Sequence, residues 1–340
     1  MSQIAIIGAG AWGTSLSIVL GRKETHRIRL WAHEKEVCES IAQRRVNEKF
    51  LPGQSIPSCV APCNDLAEAL KDAAIVVSVM PSQHCRGLFE RMRPHLRAET
   101  VIVSATKGLE ENSLLRMTEV IAQVIQTHDL SAPRIGALSG PSFALEAARG
   151  DPTAITIASL DKELARAVQQ EFSHASFRVY TNEDPIGVEL GGALKNTIAI
   201  AAGICAGLGL GHNSVAALIT RGLAEMTRLV VACGGEAETM AGLAGLGDLV
   251  LTCTGGLSRN RSVGVELGRG RKLPEVLAGM HGMVAEGIFT TTAAVGLARA
   301  RGVEMPISEQ MYAILHQGKA PREAISELMA RSSKSEVPRF

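Results

Sequence analysis

The chain has 340 residues, enough for two domains that each bury an apolar core. Its 35 lysines and arginines balance 34 aspartates and glutamates, so the charge excess typical of nucleic-acid or membrane-surface binding is missing and neither partner is expected. Seven cysteines, an odd number without a C-x-x-C pair, argue against a disulfide framework and for a reducing, cytoplasmic setting.

In chain order, Ile4-Ala-Ile-Ile-Gly-Ala-Gly-Ala-Trp-Gly13 reads as a buried strand turning directly into a helix over 12–20. Too few residues precede it to form a targeting segment, and none is expected. Gly8, Gly10 and Gly13 form G-x-G-x-x-G: the first glycine permits the tight turn, the second lets backbone approach a pyrophosphate, and the third lets helix pack on strand. The helix start then offers unpaired N–H groups and a positive dipole end to dinucleotide phosphates. A second strand over 27–31 ends in Ala32-His33. His33 stands where an NAD-specific fold usually places a carboxylate for the ribose 2′-hydroxyl, so NADPH should be accepted alongside NADH and slightly favoured. The alternative for His33 is a solvated surface residue beside Glu34 and Lys35.

Residues 44–65, with Pro52-Gly53, read as an irregular surface excursion only loosely tied to function. Cys59 and Cys63 have no second Cys or His pair nearby, so no metal site is expected. Runs rich in branched residues at 75–79 (Ile-Val-Val-Ser-Val) and 100–104 (Thr-Val-Ile-Val-Ser) have the pattern of parallel strands buried on both faces, with a helix from about 82 between them. The second runs out into Ala105-Thr-Lys-Gly108, and ligands of doubly wound sheets sit outside such carboxyl ends, which makes Lys107 a ligand-facing candidate against a surface lysine. A strand over 135–138 leads into Ser139-Gly-Pro-Ser-Phe-Ala144, where Ser142 near a helix start marks either an anion site or an ordinary capped turn. Strands at 153–159 and 177–180 flank a helix over 162–172.

From Ile186 the pattern is helical, which divides the chain into a dinucleotide-binding domain (1–185), an all-helical substrate and catalytic domain (186–330) and a flexible tail (331–340). The expected fold class is therefore α/β: an N-terminal Rossmann, doubly wound, mostly parallel sheet followed by an all-α domain. Lys195 lies on an otherwise small and apolar helix. Burial there would lower its pKa toward neutrality and suit it to exchanging a proton with a hydroxyl or carbonyl oxygen, the alternative being a lysine that snorkels to water. The longest apolar run, 197–211, spans about fifteen residues with four glycines and falls short of the ~20 that a membrane span needs, so a core helix ending in a loop is expected. Within it Gly207-Leu-Gly-Leu-Gly211 has no preceding strand and reads as a helix terminus.

Residues 242–248 read as a glycine-dense loop carrying Asp248, and Ser258-Arg-Asn-Arg261 opens a helix with Ser258 as N-cap. Arg259 and Asn260 add donors where a phosphate would bind. A cation in a helix first turn is unfavourable unless an anion is present, so the arrangement is informative, although a solvated basic face would spell the same. Ile307, Met311, Ile314 and Leu315 follow helical spacing and belong to a core.

Taken together, Gly8-Ala-Gly-Ala-Trp-Gly13, Ala105-Thr-Lys-Gly108, Ser139-Gly-Pro-Ser-Phe143, Gly191-Gly-Ala-Leu-Lys-Asn196, Ala244-Gly-Leu-Gly-Asp-Leu249 and Ser258-Arg-Asn-Arg261 resemble the bacterial-type NAD(P)-dependent glycerol-3-phosphate dehydrogenases, in motif order and over essentially the whole length. The resemblance implies NAD(P)H-dependent reduction of dihydroxyacetone phosphate to sn-glycerol 3-phosphate for phospholipid synthesis, by a cytoplasmic homodimer. It implies that Lys195 exchanges the proton, with Lys107, Gly140, Ser142, Asp248, Ser258, Arg259 and Asn260 around the substrate. It also implies that Gly8, Gly10, Ala11, Trp12, Gly13, His33, Lys107, Ala144, Arg259, Val284 and Glu286 line the cofactor. Ala11 departs from the family, which often carries serine there, and removes a hydroxyl contact to the pyrophosphate. Two other readings keep part of this pattern: a β-hydroxy-acid reductase, which would want an arginine for a carboxylate, and a nucleotide sensor, which would have no use for Lys195.

Overall fold

The computed structural model describes residues 2–23, 25–126, 133–280, 284–333 and 335–336. Part of the expected tail, residues 334 and 337–340, therefore lies outside the described residues. The chain forms two compact units, one of residues 1–106 and 117–185 and one of residues 107–116 and 186–340.

The first unit opens with β1 (Ser2–Ile7), α1 (Ala11–Gly21), β2 (His26–Trp31), α2 (Lys35–Arg44), β3 (Val60–Cys63) and α3 (Leu66–Leu70). It continues with β4 (Ile75–Ser78), α4 (Cys85–Met92), β5 (Val101–Ser104), α5 (Met117–Ile125) and β6 (Arg134–Ser139). It closes with α6 (Ala144–Arg149), β7 (Thr153–Ala158), α7 (Lys162–Phe172) and β8 (Phe177–Asn182). The eight strands make one sheet in the order β3-β2-β1-β4-β5-β6-β7-β8. Every neighbouring pair is parallel except β6–β7, where Ala137 faces Ala158 in antiparallel register. The run Ile75–Ser78 is wholly buried, as a central strand covered on both faces requires.

One stretch differs from expectation. Residues 44–65 hold an ordered edge strand, β3, whose four residues Val-Ala-Pro-Cys carry too little alternation to register as a strand. Pro62 lacks an N–H, and an edge position is where a sheet tolerates that loss. The same stretch is also tied to the glycine turn, as described below.

The second unit is helical: α8 (Pro185–Gly207), which begins at the junction, α9 (His212–Ala232), α10 (Ala237–Met240), a π-helical turn Leu243–Gly247, α11 (Asp248–Thr254) and α12 (Arg259–Gly268). It ends with α13 (Leu273–Ala278), α14 (Glu286–Arg301), α15 (Pro306–Gln317) and α16 (Pro321–Met329). At 23 residues α8 could by length and composition cross a membrane, where the apolar run 197–211 alone fell short; yet 89% of its most apolar stretch is buried inside the protein, as the expected core helix demands. It pairs with α12 at backbone contact. A Cβ on Gly203 would stand 2.0 Å from the Arg261 carbonyl oxygen and one on Gly264 2.0 Å from that of Ile200, so only glycine fits at either position. Gly207 and Gly268, one turn further along, repeat the arrangement. Leu190, Leu194 and Ile198 of α8 share the unit's apolar core with Ile307, Met311, Ile314 and Leu315 of α15.

Candidate active site

In the first unit the sheet order reverses at β1, with β2 on one side and β4 on the other, and at that switch point the glycine turn leaves β1. Gly8 takes φ +117°, and a Cβ there would lie 2.2 Å from the Val79 carbonyl oxygen. A Cβ on Gly13 would lie 1.9 Å from the Gly8 carbonyl oxygen. Both glycines are thus sealed against backbone, whereas the space beside Gly10 is open for 4 Å, which fits a pyrophosphate drawn close to bare main chain. Gly10 is the N-cap of α1, no side chain caps that end, and Ala11 is its first residue.

Sequence reasoning missed the brace under this turn. Asn47, fully buried, donates from Nδ2 to the Ala9 carbonyl at 2.8 Å and to Thr14 Oγ1 at 2.8 Å, while its Oδ1 accepts from the Phe50 N–H at 3.1 Å. The excursion therefore braces the glycine turn. A lone asparagine between Arg44 and Phe50 gives no periodic signal that would reveal this.

The other first-unit candidates are dispersed along its strand ends. His33 is exposed, with its ring tilted on Trp31 at 5.9 Å. Trp12 and Ala144 are half-buried and pack on the unit's core. Gly140 sits at φ +139°, where a Cβ would meet Ile155 Cα at 2.9 Å, so its backbone conformation and the neighbouring β7 both demand glycine. Ser142 turns back to donate to the Gly140 carbonyl at 2.9 Å, and Phe143 rather than Ser142 occupies the N-cap of α6.

The second unit brings its candidates together around Asp248. Gly191, one turn before Lys195 on α8, leaves room for the π-helical turn: a Cβ there would lie 2.7 Å from the Ala244 carbonyl oxygen. The glycine-dense stretch 242–248 is consequently not the loop expected. It winds into α11 and delivers Asp248, 1% exposed, to the lysines. Lys195 Nζ lies 2.8 Å from Asp248 Oδ1, and Lys107 Nζ lies 2.6 Å from Oδ2. Lys195 also donates to Thr252 Oγ1 at 2.7 Å, and the Thr252 hydroxyl donates to the Asp248 carbonyl at 2.6 Å. Thr252 lies four residues after Asp248 on one helix face, a spacing from which the sequence could have shown it.

The electrostatics follow from burial. Loss of hydration brings the Lys195 ammonium down from its ordinary value to about 8, with Asp248 opposing the fall and Lys107 adding to it. Burial alone would raise the Asp248 carboxyl, but the two ammonium groups hold it below the ordinary carboxylate range. Two cations on one carboxylate leave this cluster an excess positive charge that suits an incoming anion. Of Lys195's three donors, two are taken, so one direction has no partner among the described residues.

Next to this cluster stands the first turn of α12. Ser258 is its N-cap, accepting from the Arg261 N–H at 3.2 Å. Arg259 retains exposed surface, but the protein around its guanidinium strips away hydration and lowers its pKa, which the Glu286 carboxylate opposes. Asn260 is more committed than its expected phosphate role implies. Its Nδ2 donates to Asn196 Oδ1 at 3.0 Å, and its Oδ1 accepts from the Gly287 N–H at 3.0 Å. It ties α8 at the residue after Lys195 to the start of α14, beside Glu286. Val284 is half-buried two residues before Glu286.

Comparison with known proteins decides the family. The model of the NAD-dependent glycerol-3-phosphate dehydrogenase N-terminus matches residues 3–165, and that of the C-terminus matches residues 184–326. A relative from Koribacter versatilis, glycerol-3-phosphate dehydrogenase [NAD(P)+], is 67% identical over 99% of both chains. The chain belongs to the NAD-dependent glycerol-3-phosphate dehydrogenase family. A second member of that name from Acidobacterium capsulatum is 54% identical over 99% of this chain and 100% of its own. The crystal structure of glycerol-3-phosphate dehydrogenase from Coxiella burnetii superposes with TM-score 0.92 at 41% identity, covering 97% of this chain and 99% of that one. Family membership accounts for both halves of the architecture, the dinucleotide turn on its sheet and the lysine-bearing helix in its bundle.

Proposed function

We propose that Lys195 is the proton-exchanging residue of an NAD(P)-dependent glycerol-3-phosphate dehydrogenase that reduces dihydroxyacetone phosphate to sn-glycerol 3-phosphate. The observation that carries this is the buried Lys195 ammonium, held on Asp248 and Thr252 with one donor direction left and a pKa brought down to about 8. An acid poised near neutral pH gives up its proton most effectively.

The nicotinamide cofactor, when bound, supplies the hydride. Everything else comes from this chain. Gly8, Gly10, Gly13 and Ala11 hold the pyrophosphate on backbone N–H groups, with Trp12, Ala144, Val284 and Glu286 along the cofactor and His33 donating to a ribose 2′-hydroxyl or 2′-phosphate. Lys107, Gly140, Ser142 and Asp248 surround the substrate, and Asp248 aims the Lys195 ammonium. Ser258, Arg259 and Asn260 receive the substrate phosphate, whose binding energy positions a ketone that offers few handles of its own. As negative charge develops on the ketone oxygen, the spare Lys195 N–H stabilises it and then transfers its proton, leaving a neutral amine that water recharges.

Residues 1–185 serve as the dinucleotide-binding domain, 186–330 as the catalytic domain and 331–340 as a tail. The enzyme works as a homodimer in the cytoplasm and supplies glycerol phosphate to phospholipid synthesis, with NADPH slightly preferred. The test is oxidation of NADPH and of NADH, followed by the loss of reduced-nicotinamide absorbance, with dihydroxyacetone phosphate as acceptor. Turnover with a β-hydroxy-acid precursor instead, or cofactor binding without turnover, would replace this reading.

A further inference from the structure

Lys107 does not reach Asp248 from a helix. It stands at the start of a strap, residues 107–116, that leaves the carboxyl end of β5 and joins the second unit. The strap closes on itself: Leu109 and Arg116 pair as an antiparallel bridge, the Glu110 N–H donates to the Leu115 carbonyl at 3.0 Å, and the Leu114 N–H donates to the Glu110 carbonyl at 2.8 Å. Leu114 takes φ +60° and packs against Gly296 of α14, and Leu109 is 1% exposed in the apolar core. At its far end Arg116 meets Glu189 of α8 at 2.7 Å, both side chains largely withdrawn from solvent. Glu189 precedes Lys195 by six residues, about 9 Å along the helix axis at 1.5 Å per residue.

A buried ion pair is a poor way to gain stability, because desolvating two charges offsets most of their attraction and an apolar pair of equal volume does as well. What such a pair adds is direction, since a short charged contact has one geometry where apolar contacts have many. We propose that Arg116 and Glu189 are positioning residues for the reaction: their ion pair fixes the strap against the helix that carries Lys195 and thereby sets where the Lys107 ammonium stands on Asp248. The groups that face Lys195 are Asp248 and Cys253 from α11 and Lys107 from the strap. Of these Lys107 alone is carried by a segment outside the helices, so it is the one whose place depends on a tether.

This inference rests on Lys195 as the proton donor, and the experiment separates the two. Glu189→Gln, Arg116→Lys and the apolar double variant R116M/E189L are compared with the parent in kcat/KM for dihydroxyacetone phosphate, in NADPH affinity, in Tm and in the pH profile of reduction. The double variant removes both charges of the pair together, so it provides a second route to a folded protein where Glu189→Gln does not fold. Expected of the double variant are a ten- to hundredfold loss in kcat/KM, of the size that misplacement by about 1 Å causes, with NADPH affinity and Tm within error of the parent. The basic limb of the profile should move upward, because withdrawal of the Lys107 cation removes one cause of the lowered Lys195 pKa. Arg116→Lys, which keeps the charge, should recover part of the loss. A double variant with parental kcat/KM and an unmoved basic limb overturns the positioning role. A parent whose basic limb survives Lys195→Met overturns the reading of Lys195 instead.

Discussion

The glycine turn at the head of β1 and the lysine cluster around Asp248 both suit anions, and they do so by opposite physics. The turn carries no side-chain charge: Gly8 and Gly13 are sealed against backbone, Gly10 lies open, and the attraction comes from N–H groups and a helix dipole of about half an elementary charge. Its six residues are contiguous, and its shape is set before any ligand arrives. The cluster instead gathers Lys107 and Asp248, 141 residues apart, with Lys195 between them in sequence, and buries two cations on one carboxylate. Such a site is under electrostatic tension until an anion enters. A backbone site is therefore altered by adding atoms, and a charge site by removing them.

The sharpest test of that contrast is Lys195→Met, expected to lower kcat by ~10² to 10⁴ while NADPH affinity is kept. In the parent, reduction needs the protonated lysine, so its rate should fall as pH rises through about 8, and oxidation of glycerol 3-phosphate, which needs the neutral amine, should rise over the same range. Both limbs should vanish in the variant. Its stability should tell the same story. An unfolded lysine titrates near 10.5 and the folded one near 8, so between those values the unfolded state binds more protons and the parent gains stability with rising pH. Lys195→Met should lose that gain and melt no lower than the parent at pH 7. A melting point several degrees below the parent would show that the cluster is not under tension.

Gly13→Ala tests the other side. Its methyl would need the space 1.9 Å from the Gly8 carbonyl oxygen, and overpacking of that kind costs about 1–3 kcal/mol, which predicts up to a hundredfold weaker cofactor binding in a fluorescence titration. Retained affinity would mean the turn yields easily. Arg259→Ala should lose roughly ten- to hundredfold in kcat/KM for dihydroxyacetone phosphate, the range of one charge-assisted hydrogen bond to phosphate. Arg259→Lys should recover only part, since an ammonium lacks the planar fork. At saturating NADPH the loss should be far smaller with dihydroxyacetone; equal losses for both ketones would remove Arg259 as the phosphate anchor. The smallest effect belongs to His33→Asp. A carboxylate about 4 Å from a 2′-phosphate is unfavourable by roughly 1 kcal/mol in water, a several-fold shift toward NADH, and an unchanged preference would show that this exposed residue does not read the ribose.

What could be read in the sequence follows the same division. The strands, the turn and the helical second half were legible because each is local: branched runs mark buried strands, and the glycine spacing spells the turn. The edge strand β3 was not, since Pro62 and four residues give no period. Nor was Asn47, whose two donors reach Ala9 and Thr14 across 38 and 33 residues. In the second unit the sequence could single out Lys195 and Asp248 as conspicuous charges among small apolar residues. It could not show the distances at which Asp248 holds Lys195, or that Glu189 and Arg116 stand behind Lys107. The grip of Asp248 on Lys195 depends on Gly191 admitting the π-helical turn, a contact that no pattern along the chain encodes.

The crossing of α8 and α12 bears on engineering. Replacing helical glycine by alanine is a routine way to stiffen a protein, worth up to about 1 kcal/mol per exposed site. Gly203, Gly207, Gly264 and Gly268 invite that treatment when read one helix at a time. Here each added methyl would collide with the facing helix within 2.0 to 2.5 Å and pry apart the two rods that carry Lys195 and Arg259. A library designed for heat resistance should hold these four positions invariant.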